Sequence, residues 1–194
     1  MEIREQQEAI DEAGHSHGNK RVALLIAILA ALLALTEMRG KATQLESLAA
    51  NIEAANLWSF FQAKTIRQTT LRTAAEALEA AAGKDLPPDR AEAHAKRAQA
   101  WRATAERYET EPSTREGRKE LLARAKAAEG RRDRALSAYH LFEYGAAALQ
   151  LAIVLASASL IAGVAWLTWA SGMLGAVGLG FAFLGWLAPT LLHL

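Results

Sequence analysis

Residues 144–194 decide the fold, because this C-terminal stretch carries no charged side chain. It reads YGAAALQLAIVLASASLIAGVAWLTWASGMLGAVGLGFAFLGWLAPTLLHL. The chain has 22 basic and 21 acidic side chains, and all of them lie between Glu2 and Glu143. An uncharged run of this length, rich in Leu, Ala and Gly, is typical of membrane-spanning helices and excludes a single soluble globule.

Three apolar segments in the chain are candidate transmembrane helices. The C-terminal stretch predicts spans at residues 144–167 and 172–192, with a short uncharged turn beginning at Thr168. A further span is predicted at residues 22–38, after a polar tail at residues 1–21. A signal peptide is the alternative for this first segment, but the acidic leader and the poor cleavage site favour a retained helix.

The charged middle of the chain, residues 39–143, predicts a water-exposed helical head. Residues 41–82 contain neither proline nor glycine, and prolines at positions 87, 88 and 112 interrupt the remainder of the head. We therefore expect helices at about 39–82, 90–109 and 113–143. The predicted fold class is an all-α integral membrane protein with three transmembrane helices and long coiled-coil-like helices that extend from the bilayer.

A repeat of 3.5 residues runs along each helix of the head, which is typical of helices packed along a shared seam. In the first helix the seam comprises Leu45, Leu48, Ile52, Ala55, Ser59, Gln62 and Ile66. In the second it comprises Ala91, His94, Ala98, Trp101, Ala105 and Tyr108, and in the third Leu121, Ala125, Ala128, Arg132, Ala135, Tyr139 and Phe142. The seams could form one bundle or could pair between chains.

The stretch NIEAANLWSFFQAK at residues 51–64 is the most distinctive part of the head. Trp58, Phe60 and Phe61 cannot all share one helix face, so this helix is contacted on more than one side. A recognition surface for a partner or ligand is one interpretation. The other is helix packing, in which Asn56 and Gln62 are buried amides that fix the register. The full set of candidate interaction residues is Asn56, Trp58, Phe60, Phe61, Gln62, Trp101, Tyr108, Tyr139 and Phe142.

This stretch, together with the leading apolar helix, the charged middle and the C-terminal hairpin, resembles a bacterial membrane-protein family catalogued as domain of unknown function 4337. The pattern of the family is N-E-A-[AS]-N-x-W-[AS]-[FY]-[FY]-Q-[AS]-K. Here Ile52 is one extra residue after the first asparagine, and Phe60-Phe61 stands where tyrosines are usual. The resemblance implies a membrane protein and supplies no activity, so it assigns no catalytic residue.

Small residues recur every fourth position in both C-terminal spans, and this spacing favours close approach of two helices. The candidate transmembrane packing residues are Ala148, Ala152 and Ala156 in one span, and Gly172, Ala176 and Gly180 in the other. Gln150 is the one strongly polar side chain within its span, and we expect it to form an interhelical hydrogen bond.

The sequence offers little for catalysis, cofactors, metals or nucleic acid. It has no cysteine, no phosphate-binding glycine loop and no hydrolase motif. His15-x-His17 and His140-x-x-Glu143 supply too few ligands for a metal site. A net charge of +1 gives no electrostatic support for nucleic-acid binding. We therefore expect no enzyme, no cofactor and no nucleic-acid partner.

The lipid bilayer and further copies of the chain are the expected partners. Lys and Arg near the ends of the spans favour a multi-pass protein of the bacterial inner membrane, with a cytoplasmic head and a periplasmic N-terminus. The leading hypothesis is a structural or scaffold protein that self-assembles through the head seams and the small-residue membrane faces. An oligomeric pore is one alternative. Another is an accessory subunit of a larger membrane complex, docked through the aromatic stretch.

Overall fold

A computed structural model describes residues 2–82 and 86–191, with side chains described from residue 20 onward. The described ranges are almost entirely helical and contain no strand, which confirms the expected all-helical class. The four helices are α1 (Glu2–Ala81), α2 (Pro88–Glu109), α3 (Arg118–Ala162) and α4 (Ala165–Leu187).

The chain divides into two compact units, and each is described by itself. The apolar unit comprises Met1–Ser47 and Asp133–Leu194, and the charged unit comprises Leu48–Arg132. Because α1 and α3 are long, each of them contributes residues to both units.

Helix α1 begins at Glu2, so it includes residues that the sequence analysis assigned to a polar tail. Glu, Gln and Ala in this leader are good helix formers, and adding turns to an existing helix avoids the cost of nucleation. The sequence places Pro87 and Pro88 shortly after the helix ends at Ala81.

Helix α2 begins at Pro88, two residues earlier than expected. Pro87 is the N-cap and Pro88 takes the first helical position, where its missing N–H and fixed φ are favourable. Asp89 lies in the first turn, where its carboxylate faces the positive end of the helix dipole.

Helix α3 begins at Arg118 rather than near Ser113, so the connection from α2 is longer than predicted. Arg115 adopts a positive φ of 57°, which breaks the helical run. Gly117 is buried, and a Cβ at this position would overlap the main chain of Thr110 and Glu111. The connection is therefore a tightly packed turn that has room for glycine alone at this point.

The turn between α3 and α4 lies at residues 163–164, and the prediction of a turn beginning at Thr168 was wrong. Helix α3 ends at Ala162, and Gly163 takes a φ of +68°. The Gly163 N–H donates to the Ser159 carbonyl oxygen at 2.9 Å. Glycine adopts this left-handed conformation without the penalty of a Cβ, so it is the preferred residue after a helix end.

The small polar residues expected in that turn instead connect α4 to α3. The hydroxyl oxygens of Thr168 and Ser159 lie 2.6 Å apart, and the Ser171 hydroxyl donates to the Ala152 carbonyl oxygen at 2.7 Å. Helix α4, which contains Thr168 and Ser171, begins at Ala165 and ends at Leu187. The predicted third span reached Leu192, which lies outside the described residues.

The core of the apolar unit is formed by three helices in contact. Leu29 of α1 packs with Leu149 and Ala152 of α3, and Leu174 of α4 packs against this cluster. Within the described residues, three segments are long and apolar enough to cross a membrane. They lie in Lys20–Ala81, Arg118–Ala162 and Ala165–Leu187.

The core of the charged unit joins α1 to α3. Its buried residues are Ala54 and Leu57 of α1 and Leu121, Ala125 and Ala128 of α3. The predicted stripe of α2 also faces inward, since Ala98 and Ala105 are buried and its other members are half-buried.

The predicted seam of α1 does not face inward. Its large apolar members Leu48, Ile52 and Ile66 are exposed, and α1 buries the opposite face instead. That buried face includes Lys64 and Gln68. It can be buried because charged and polar partners from α2, α3 and their connection meet these two side chains.

Candidate functional site

Lys64 is a buried cation at the inner face of α1 in the charged unit. It is 6% exposed, and its ammonium group lies over the rings of Tyr108 at 4.9 Å and Phe60 at 5.5 Å. The same Nζ atom lies 3.5 Å from a carboxylate oxygen of Glu111. Burying a charge is costly unless it is paired, and the two rings and the carboxylate supply that compensation.

Arg118, at the first position of α3, joins three elements of the charged unit. Its guanidinium donates to Gln68 Oε1 at 2.6 Å, to Glu109 Oε2 at 2.7 Å and to Thr65 Oγ1 at 2.9 Å. It also lies 5.1 Å from the ring of Phe61. A planar, five-donor guanidinium suits such a junction better than lysine does.

Gln68 is the most deeply buried member of this hydrogen-bond network. It is 2% exposed, and its amide nitrogen donates to the Ala105 carbonyl oxygen and to Glu109 Oε2, both at 3.0 Å. We call Lys64, Gln68, Glu109, Glu111 and Arg118 the polar clamp. Its groups satisfy one another and hold the α2–α3 connection on α1, so its chemistry is that of a structural junction.

The pKa of Glu109 lies below its usual value. The main cause is the hydrogen bond from Gln68, followed by the charge and hydrogen bond of Arg118, while partial burial acts in the opposite direction. The ionised carboxylate is therefore the form that the clamp stabilises.

The aromatic stretch packs inside the charged unit. Trp58 donates from its indole nitrogen to Glu129 Oε1 at 2.8 Å, and its ring meets Phe61 edge to face at a centroid distance of 5.5 Å. Trp58, Phe60 and Phe61 are half-buried against the core cluster. This placement matches the packing interpretation of the stretch for the aromatic residues.

The two amides that were expected to fix the register are not part of that packing. Asn56 and Gln62 are exposed, and among the side chains of α1 described from residue 20 onward the buried amide is Gln68. The remaining aromatic candidates of this unit, Trp101 and Tyr108, are half-buried, and Tyr108 covers Lys64.

A polar cleft lies between α1 and α3 in the apolar unit. Its volume is about 420 Å³, and its polar lining includes Glu37, Lys41, Gln44, Tyr139, Glu143 and Gln150. As expected for an interhelical contact, the Gln150 amide donates to Glu37 Oε1 at 3.1 Å. Phe142 is buried and lines the cleft, and the Tyr139 hydroxyl lies 3.4 Å from Glu143 Oε1.

Metal ligation has little support in the part of the chain that the structure describes. No three His, Asp or Glu side chains come together there as metal ligands would. His140 and Glu143 form a pair at 3.7 Å. The side chains of His15 and His17 lie outside the described residues.

The predicted small-residue faces have different surroundings. Ala148, Ala152 and Ala156 of α3 are buried within the apolar unit. On α4 the buried small residues are Ser171, Gly175, Gly178 and Gly185. Gly172, Ala176 and Gly180 form a second stripe on α4, which is exposed, and a Cβ at Gly172 or Gly180 would meet nothing within 4 Å.

A family model for a domain of unknown function (DUF4337) matches residues 18–188. The chain belongs to this family. Neither a curated protein nor a solved structure matches the chain. The match to DUF4337 covers the charged unit, most of the apolar unit and every candidate residue described above except His15 and His17.

Sequence reasoning missed most of the polar clamp of this DUF4337 chain. Lys64 stands out in the sequence only as the last residue of the aromatic stretch, and Gln68, Glu109 and Arg118 do not stand out at all. The available signal was spacing, because Lys64 and Gln68 continue the 3.5-residue repeat of the buried residues Ala54 and Leu57. That repeat contains small and polar side chains, so a search for hydrophobic periodicity passes over it.

Proposed function

We propose that this chain is a non-enzymatic, membrane-anchored helical protein that spans the bilayer three times and self-associates, with a structural or scaffold role. The charged unit is then the water-exposed head. The polar clamp supports this proposal in two ways. It stabilises the head, and its polar side chains form their hydrogen bonds and ion pairs with one another.

The observation that carries the membrane assignment is the placement of tryptophan along α4. Trp166 and Trp169 near its start and Trp186 near its end are all exposed. Trp166 and Trp186 are 20 positions apart, which corresponds to about 30 Å of α-helix. The hydrocarbon core of a bilayer is also about 30 Å thick, and tryptophan is enriched at both of its interfaces.

The surface between these tryptophans is apolar on all three helices of the apolar unit. Exposed side chains include Leu24, Ile28, Leu151, Val154, Val177 and Phe183. Monomeric soluble proteins rarely expose a contiguous apolar surface of this extent. Lipid chains would cover it without further protein contacts.

The exposed stripe of Gly172, Ala176 and Gly180 supports self-association within the membrane. A small-xxx-small stripe lets two helix backbones approach closely, and van der Waals packing then drives association in lipid. The other small face of α4 is already occupied by α3, so this stripe remains for a second copy.

We propose that the chain lies in a bacterial inner membrane with a cytoplasmic head. Arg39 and Lys41 follow the first apolar segment, and Arg131, Arg132 and Arg134 precede the second. Basic residues near span ends are retained on the cytoplasmic side. The N-terminus would then face the periplasm.

Alkaline carbonate extraction followed by native mass measurement in mild detergent tests the proposal. We expect the chain to stay in the carbonate-washed membrane and to be purified as an oligomer. Gly180→Ile, which adds bulk to the exposed stripe, should reduce the oligomer. Val177→Phe adds bulk to an exposed neighbour outside the stripe and should not. Release by carbonate would refute the membrane assignment, and equal behaviour of the two variants would refute the contact.

A further inference from the structure

Helix α1 carries two opposite stripes in the charged unit, and the outer one leaves large apolar side chains exposed. The inner stripe buries Ala54 and Leu57 together with the polar Lys64 and Gln68. The outer stripe leaves Leu48, Ile52 and Ile66 exposed by 54%, 53% and 66%. A surface helix normally turns its apolar side chains to the core and its charged ones to water. The exposure of these three apolar side chains indicates that the outer stripe has a partner of its own.

The outer stripe has the geometry of a helix–helix seam. Its members recur at alternating steps of four and three residues, and all of them are exposed: Leu48, Ile52, Ala55, Ser59, Gln62, Ile66, Thr69 and Thr73. The stripe extends over about 38 Å of helix. Around Ile66 the stripe borders an open, mostly apolar surface of α1 that also includes Ala74 and Ala77. A sustained 3.5-residue repeat packs best against another helix with the same repeat.

The other helices of the charged unit are not available to cover this stripe. The corresponding stripes of α2 and α3 are already buried, at Ala98 and Ala105 in one helix and at Leu121, Ala125 and Ala128 in the other. A second copy of the chain offers an identical exposed stripe.

The borders of the stripe are compatible with self-pairing. The residues that would flank the contact between residues 49 and 70 carry no charge: Ala49, Asn51, Asn56, Trp58, Ala63, Thr65 and Thr70. Pairing two copies therefore brings no like charges together along this length. The polar members Ser59 and Gln62 would lie in the middle of the seam, where hydrogen bonds between the two copies would fix the register.

We propose that the outer stripe of α1 is a self-association surface, on which two copies of the chain pair through a parallel two-stranded coiled coil. The parallel direction rests on the proposed function, because copies inserted in one membrane share one topology. Each member of the stripe then faces its own counterpart in the partner.

Single-cysteine variants of the full-length protein test this geometry in membranes, since the natural chain contains no cysteine. Leu48→Cys and Ile66→Cys place thiols on the stripe. Arg67→Cys is the matched control, because it is exposed and adjacent to Ile66 but lies off the stripe. Disulfides form where the two Cβ atoms come within about 4.5 Å. After mild oxidation we expect disulfide-linked dimers from both stripe variants and several-fold less from the control.

A second measurement tests whether the stripe itself holds the copies together. Replacing Leu48 and Ile52 by serine in the Ile66→Cys background should abolish the cross-link. Both substituted side chains are exposed, so the fold should be retained, and circular dichroism checks this.

The inference is overturned if Ile66→Cys and Arg67→Cys cross-link equally, or if neither stripe variant cross-links. Cross-linking only in mixtures of Leu48→Cys and Thr73→Cys copies would overturn the parallel direction. If the protein remains a carbonate-resistant oligomer without stripe cross-links, this inference alone fails. If carbonate releases the protein, the proposed membrane location fails, and the cross-links still decide whether the stripes pair.

Discussion

Replacing Gly178 by alanine tests the close crossing of α3 and α4. A Cβ at Gly178 would lie 2.9 Å from the Gly145 carbonyl oxygen and 2.9 Å from Leu149 Cγ. Ordinary van der Waals contact begins near 3.4 Å, so the two helices must separate by a few tenths of an ångström. Overpacking of this kind costs about 1–3 kcal/mol.

Gly180→Ala is the matched control, because a Cβ at Gly180 would meet nothing within 4 Å. Both substitutions gain the same helix propensity, about 1 kcal/mol, which cancels in the comparison. The difference between the two variants therefore isolates the steric cost at the crossing. At about 2–4 °C per kcal/mol for a chain of this length, Gly178→Ala should melt about 2–12 °C below Gly180→Ala.

Thermal unfolding in mild detergent, followed by tryptophan fluorescence, measures this difference. Alanine at Gly180 preserves the small-residue stripe, so the oligomeric state should be equal in the two samples, and native mass measurement checks it. If Gly178→Ala melts at or above Gly180→Ala, the two backbones do not approach as closely as the structure has them, and the reasoning is refuted.

Three further predictions concern the charged unit. Because the native pKa of Glu109 is lowered, its ionised form stabilises the fold at neutral pH, and this contribution is lost as the pH falls through and below the usual carboxyl range near pH 4. Glu109→Gln should therefore flatten the acid side of a plot of melting temperature against pH, and an unchanged profile would contradict the clamp. Trp58→Phe removes the 2.8 Å hydrogen bond to Glu129 and should lower stability by about 1–3 kcal/mol in thermal unfolding. Gly130→Ala, at an exposed helical position with nothing within 4 Å, should raise stability by up to about 1 kcal/mol, and a fall would indicate an unseen contact there.

The helical class and most helix positions follow from the sequence, because they depend on local signals. The prolines around residue 87 separate α1 from α2, and charge-free composition marks the C-terminal hairpin. The error at the turn between α3 and α4 has a physical cause. Thr168 and Ser171 resemble turn residues, yet in an apolar unit their hydroxyls find partners on the neighbouring helix. The actual turn depends on one glycine, Gly163, whose positive φ is visible only in the structure.

The polar clamp was less predictable, because it depends on contacts between residues far apart in sequence. Arg118 meets Thr65 and Gln68 across about 50 positions of the chain. Nothing in the local sequence of α3 distinguishes this arginine from its exposed neighbours. The pairing becomes visible only when the α2–α3 connection is folded back on α1.

The two stripes of α1 show why hydrophobic periodicity selected the face of this helix that α2 and α3 do not bury. Both stripes have a period of 3.5 residues, but the outer one carries Leu48, Ile52 and Ile66, whereas Lys64 and Gln68 interrupt the inner one. The inner one is buried because α2 and α3 offer alanine-rich faces that approach closely, together with carboxylates that pair with Lys64 and Arg118. Packing against specific partners thus outweighs average hydrophobicity on the inner face. An outer face with larger apolar residues still gains free energy by leaving water, and a second copy of the chain would provide that gain.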